Sequence, residues 1–102
     1  YTLIMEIPAA VNPSGAAAAG FGENGKPDFW ISGEGKLGHP LHVAIAAKSR
    51  AAVDAFYKVA MEAGARDNGA PGIRPHYHAN YYGAFVIDHD GHNIEAVCHI
   101  PE

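Results

Sequence analysis

Cysteine is nearly absent from this 102-residue chain: Cys98 stands alone, so no internal disulfide can form. A reducing compartment agrees with that usage. Positive charge is also scarce. Lysine and arginine total 7 against 11 acidic residues, for a formal net charge of -4. The basic residues form no cluster, which argues against nucleic acid or an anionic membrane as the main partner. No apolar run approaches the ~20 residues of a bilayer span. No charged leader followed by an apolar stretch opens the sequence, so the expected compartment is cytoplasmic. A phosphate-binding loop is missing too. The stretch "GFGENG" (20–25) lacks both the strand-to-helix setting and the lysine such a loop needs.

What the chain does contain points to a globular protein with unusual polar chemistry. With 48% hydrophobic and 18% charged residues it has the balance of a folded soluble domain, not a disordered tail. Its length suits one domain around one core. Histidine is the conspicuous excess: seven, at 39, 42, 76, 78, 89, 92 and 99, as many as lysine and arginine together. Histidine titrates near neutrality and is the commonest metal ligand, so this count favours an acid–base or metal site. Taken singly, each is still more often a surface or turn residue.

Periodicity orders the chain into strands with one helix. "YTLIMEIP" reads as a strand closed by Pro8, and "NPSG" as a turn. A small-residue strand follows, then an Asn24-Gly25 hairpin turn and a strand through Phe29, Trp30 and Ile31. "GEGKLGHP" reads as a linker. In "LHVAIAA", His42, Ala44 and Ala46 share one face, with Val43 and Ile45 on the other. Ser49 is placed to cap a helix over "RAAVDAFYKVAMEAG". Its apolar stripe is Val53, Phe56, Ala60 and Ala63, and Gly64 terminates it. "ARDNGAPGIRP" reads as a loop with a short strand near its end. Two strands, "HYHANYYGAFVID" and "NIEAVCHI", are joined by an Asp90-Gly91 turn. Along the last strand Ile94, Ala96 and Cys98 face one way, and Glu95, Val97 and His99 the other.

If the helix covers Val43, Ile45, Ile94 and Ala96, then His42 and Glu95 are left together on the opposite face. An imidazole and a carboxylate converging there suit a divalent ion such as Zn, Fe, Ni or Mn. Glu95 could equally serve as a general base. Alternation alone does not say whether the two strands are neighbours, and an exposed Glu95 on a solvated edge remains open. His76 and His78, an H-x-H pair, would project to one face of a strand. Tyr77, Tyr81, Tyr82, Phe85 and Trp30 could line a ligand pocket or simply pack the core. Cys98 reads as buried and inert.

Residues 37–100, and most specifically the hairpin ending "DHDGHNIE", resemble the second βαβββ module of the vicinal-oxygen-chelate superfamily. That group includes glyoxalase I, bleomycin-resistance proteins and extradiol dioxygenases. The resemblance implies an α+β fold of paired modules forming a curved mixed sheet. Residues 1–36 would be the last three strands of the first module, without its opening strand and helix, and 37–102 the second, together one glyoxalase-like domain. It places metal ligands at His42 and Glu95, with Glu95 also moving a proton, and implies a pocket shaped by Trp30, Arg74, His76, His78 and Tyr82. Arg74 would meet a substrate anion. Phe29 or Trp30 stands where glyoxalase I has a carboxylate, so that four-ligand set is not expected. The implied activity is that of a metal-dependent lyase, isomerase or dioxygenase acting on a small oxygenated substrate. The sheet edge left by the missing opening strand is expected to be covered by a partner protomer, giving a homodimer, or by a swapped segment. A metal-free, drug-sequestering binder is the alternative, and a remnant without a working site the third reading.

Overall fold

The computed structural model describes residues 1–12, 15–33 and 38–102. The chain forms two compact units, Tyr1–Lys36 and Leu37–Glu102, each with its own sheet. Among the described residues there are seven strands and one helix, an α+β composition.

The first unit is a three-stranded antiparallel sheet, β1 (Thr2–Ile7), β2 (Ala18–Glu23) and β3 (Lys26–Ser32), in that order. The β2–β3 hairpin turns at Asn24 and Gly25, with φ of 56° and 74°. Positive φ at both central positions is the turn whose twist matches paired strands, and Asn-Gly is the pair that reaches it most easily. The small residues of β2 have a packing reason. A side chain on Gly20 would put its Cβ 2.8 Å from the Trp30 ring, which lies across that glycine. Of the "NPSG" turn, Pro13 and Ser14 lie outside the described residues, as do residues 34–37 of the expected linker.

The second unit runs β4 (His42–Ala46), α1 (Arg50–Glu62), β5 (Arg66–Ile73), β6 (Tyr82–Ile87) and β7 (Asn93–Cys98). The sheet order is β4-β7-β6-β5, with β4 parallel to β7 and the other pairs antiparallel. Ser49 caps α1: its hydroxyl accepts from the Ala52 amide at 3.1 Å. Gly64 follows the helix at φ +99°, a conformation a side chain would strain. The buried face of α1 centres on Val53, fully enclosed with Ala84, Ala96 and Cys98, with Phe56 and Tyr57 packed against them. Burying each large apolar side chain there contributes about 1.5–3 kcal/mol. Ala63, expected on that stripe, is exposed because the helix ends before it, and Tyr57 takes part instead.

Two strand boundaries differ from the sequence expectation. The segment read mostly as loop is a full edge strand, β5, whose pairing with β6 shifts register around Gly69 at φ +146°. An edge tolerates Pro71, whose missing N–H costs a ladder bond only where a neighbour needs it. The strand expected from His76 instead begins at Tyr82. Pro75 stops β5, and residues 75–77 turn, with the Tyr77 amide donating to the Arg74 carbonyl at 3.0 Å. At the β6–β7 hairpin Gly91 has φ +85°, and Asp88 Oδ1 accepts from the Asp90 and His92 amides, both at 2.9 Å. No helix among the described residues is long and apolar enough to cross a membrane.

Candidate functional site

The sheet of the second unit has one face under the helix, and the site is on the other. Residues paired across strands share a face. Ala44 pairs with Glu95, His42 with Asn93, and Phe85 with Glu95. These side chains therefore stand together, away from Val43, Ile45, Ile94 and Ala96. The parallel β4–β7 pairing settles what alternation left open.

Glu95 is 1% exposed, the one buried charged side chain among the described residues. A carboxylate withdrawn from water is costly unless its oxygens find donors. Both do. His42 Nε2 lies 2.8 Å from Oε1, and the Tyr81 hydroxyl donates to Oε2. Burial first, then the bond to Glu95 and the carboxylate's charge, push the Tyr81 phenol well above its usual range. Tyr81 therefore remains a donor at any physiological pH. Gly83 leaves room for the pair: a Cβ there would meet the Tyr81 ring at 3.1 Å and Glu95 Oε2 at 3.5 Å. His42 is 53% exposed, so this pair has one member inside and one in contact with solvent.

Beside the pair lies a cavity of about 430 Å³ lined by His42, Asn68, Arg74, His76, Tyr77, Phe85 and Asn93. The Arg74 guanidinium sits 5.5 Å from the Phe85 ring centroid, and its Nη2 donates to the Ala70 carbonyl at 2.7 Å. The His76 ring rests on Tyr77, with centroids 4.2 Å apart. A larger cavity, about 520 Å³, lies in the first unit among Ile7, Pro8, Ala18 and Ile31. Glu6 is its single ionisable wall residue, so it offers no comparable chemistry.

Not every expected site residue is at this cavity. His78 is not among its walls, because residues 76–78 lie in a turn region and not in the strand that would have aligned them. His78 Nδ1 accepts from the Asn80 amide at 3.1 Å, which leaves Nε2–H to donate to His99 Nδ1 at 2.9 Å. Tyr82 lies on the helix side, in register with Cys98. Its hydroxyl donates to Asp54 Oδ1 at 2.6 Å, and Arg50 covers its ring. Trp30 belongs to the first unit, against Gly20. Tyr81, grouped in sequence only with the general aromatic lining, is the tyrosine that reaches Glu95. The signal was available: counting back across the Asp90-Gly91 hairpin puts odd-numbered Gly83 and Tyr81 on the Glu95 side, and Tyr82 with Cys98.

His42 and Glu95 offer one imidazole nitrogen and one carboxylate oxygen, donor types that could serve a divalent ion. No group of three His, Cys, Asp or Glu side chains converges among the described residues. Any further ligands would have to come from substrate, solvent or residues beyond those described.

No family model and no curated protein matches the sequence. Among solved structures the chain is similar to a hypothetical protein from S. aureus, with TM-score 0.67 and 15% identity over 92% of this chain and 75% of that one. It is also similar to a glyoxalase/bleomycin resistance protein/dioxygenase from Nocardioides, with TM-score 0.55 and 18% identity, covering 96% of this chain and 66% of that chain. At such identities the likeness is one of architecture: this chain has the fold of the glyoxalase/bleomycin resistance/dioxygenase group.

Proposed function

We propose that the second unit carries a small-molecule site at which His42 and Glu95 hold a divalent metal ion, and that the chain acts as a lyase, isomerase or dioxygenase on an oxygenated substrate. The observation behind this reading is the pairing itself. A fully buried carboxylate is brought within 2.8 Å of a half-exposed imidazole, at the wall of a cavity large enough for a small ligand. A divalent ion there would supply Lewis acidity toward adjacent substrate oxygens. The chain's own residues do the rest. Tyr81 fixes Oε2 of Glu95 and so directs Oε1 toward His42, which lines the cavity. Where Glu95 acts as a general base instead of a ligand, its carboxylate, positioned by Tyr81 and His42, is the group that takes the substrate proton. His76, Tyr77 and Phe85 bound the volume in which the substrate is oriented.

The donor set favours a second reading as well. With both Glu95 oxygens occupied and two converging ligands among the described residues, a metal-free binder would use the same cavity. Metal analysis of purified protein separates the two. Stoichiometric metal in the wild type, lost in both His42→Ala and Glu95→Gln, supports the enzyme. Protein that stays metal-free after incubation with Zn, Fe, Ni and Mn salts, yet binds small aromatic ligands, leaves the binder.

A further inference from the structure

Among the described residues the Arg74 cation of this cavity has no counter-ion, and its seat is built. Arg74 is half-buried, and among the described residues no carboxylate pairs with it; the ion pair found there is His42–Glu95. Its guanidinium is held on three sides. The Ala70 carbonyl takes Nη2 at 2.7 Å, the Phe85 ring lies beneath, and the bare backbone of Gly69 and Gly72 makes room. A Cβ on Gly69 would stand 3.1 Å from Nη2, and one on Gly72 3.0 Å from Nη1. Two glycines in one short strand weaken that strand, and here each leaves the space the guanidinium fills. Asn93 also lines this cavity, and its Oδ1 is buried with no hydrogen-bond donor among the described residues. A buried acceptor without a donor costs about 1–3 kcal/mol, and a ligand hydroxyl would relieve it once the amide turns toward the cavity.

We propose that the ligand of this cavity is a small hydroxy-carboxylic acid, its carboxylate received by Arg74 and its hydroxyl donated to Asn93 Oδ1. Guanidinium and carboxylate match as planar, two-pronged partners, which a lysine in the same place would not reproduce. The cavity walls carry the Arg74 cation, with His42 and His76 and no acidic side chain; the neighbouring Glu95 carboxylate is already held by His42 and Tyr81. The rings of Tyr77 and Phe85 in the wall suit a flat ligand body. This inference deepens the proposed function and rests on its choice of cavity, but not on metal.

The test is calorimetric titration of the full chain in EDTA with three probes: salicylate, salicylamide and benzoate. EDTA removes any route through a metal at His42 and Glu95, so failure here and failure of metal loading are read separately. Salicylate is expected to bind at least tenfold tighter than uncharged salicylamide, and several-fold tighter than benzoate, which lacks the hydroxyl. Arg74→Gln should abolish the preference for the carboxylate. Gly72→Ala keeps the charge but displaces the guanidinium, and should weaken salicylate several-fold while the thermal melt shows the fold retained. Equal affinity for salicylate and salicylamide, or unchanged binding in Arg74→Gln, overturns the carboxylate assignment. Equal affinity for benzoate and salicylate overturns the hydroxyl contact.

Discussion

Replacing Tyr81 by Phe removes one oxygen and should cost the protein far more than an ordinary surface change. The hydroxyl donates to Glu95 Oε2, and Glu95 is 1% exposed, so no bulk water stands ready to take its place. A hydrogen bond to a charged group contributes about 1.5–3 kcal/mol, and a buried oxygen left without its donor keeps its full desolvation penalty. The ring contacts, with Tyr77 at 4.6 Å and His99 at 5.3 Å between centroids, survive in phenylalanine, so lost packing does not confuse the reading. A loss of about 2 kcal/mol corresponds to a fall in Tm of roughly 8–15 °C for a domain of this size. Urea denaturation at neutral pH, followed by circular dichroism, would report it as a lower midpoint at unchanged slope. The double variant with Glu95→Gln supplies the control. An amide needs the hydroxyl less than a carboxylate does, so Tyr81→Phe should cost only about 0.5–1.5 kcal/mol in that background. A loss below about 0.5 kcal/mol in the wild-type background, or the same loss in both, would refute the account of how Glu95 is kept inside.

The raised Tyr81 phenol sets an alkaline limit to stability. The folded state keeps its proton where the unfolded chain, with an ordinary value of 10.0, has begun to lose it. This contribution is therefore whole below about pH 10 and is lost as pH climbs through the folded-state value. Urea midpoints taken at rising alkaline pH should fall more steeply for wild type than for Tyr81→Phe; parallel curves would contradict the assignment. At the start of α1, Ser49→Ala removes the acceptor for the Ala52 amide. It should lower stability by about 1 kcal/mol in the same denaturation assay, while Ser49→Asp, which restores an acceptor, should recover most of it.

Much of the second unit was legible before any coordinates. Alternation in "LHVAIAA" and "NIEAVCHI" assigned Val43, Ile45, Ile94 and Ala96 to the helix side, because strand geometry fixes side-chain direction at a period of two. Ser49 and Gly64 marked the helix ends, and Asn24-Gly25 and Asp90-Gly91 the hairpins, because capping and positive φ are local demands met by a few residue types. Less was legible where neighbours decide. The glycines and prolines of 66–73 predict a loop in isolation, yet an edge position with shifted register accommodates them as β5. His76 and His78 looked like an aligned pair until Pro75 turned the chain and separated their partners.

The sequence by itself determined which side chains could face away from the helix, including His42 and Glu95, since that choice follows from backbone geometry within each strand. Only the tertiary structure decided that β4 lies parallel beside β7, that Tyr81 and not Tyr82 supplies the second donor to Glu95, and that Arg74 folds back over Gly69 and Gly72. Strand order and side-chain seating depend on contacts between residues far apart in the chain, and no local pattern encodes those distances.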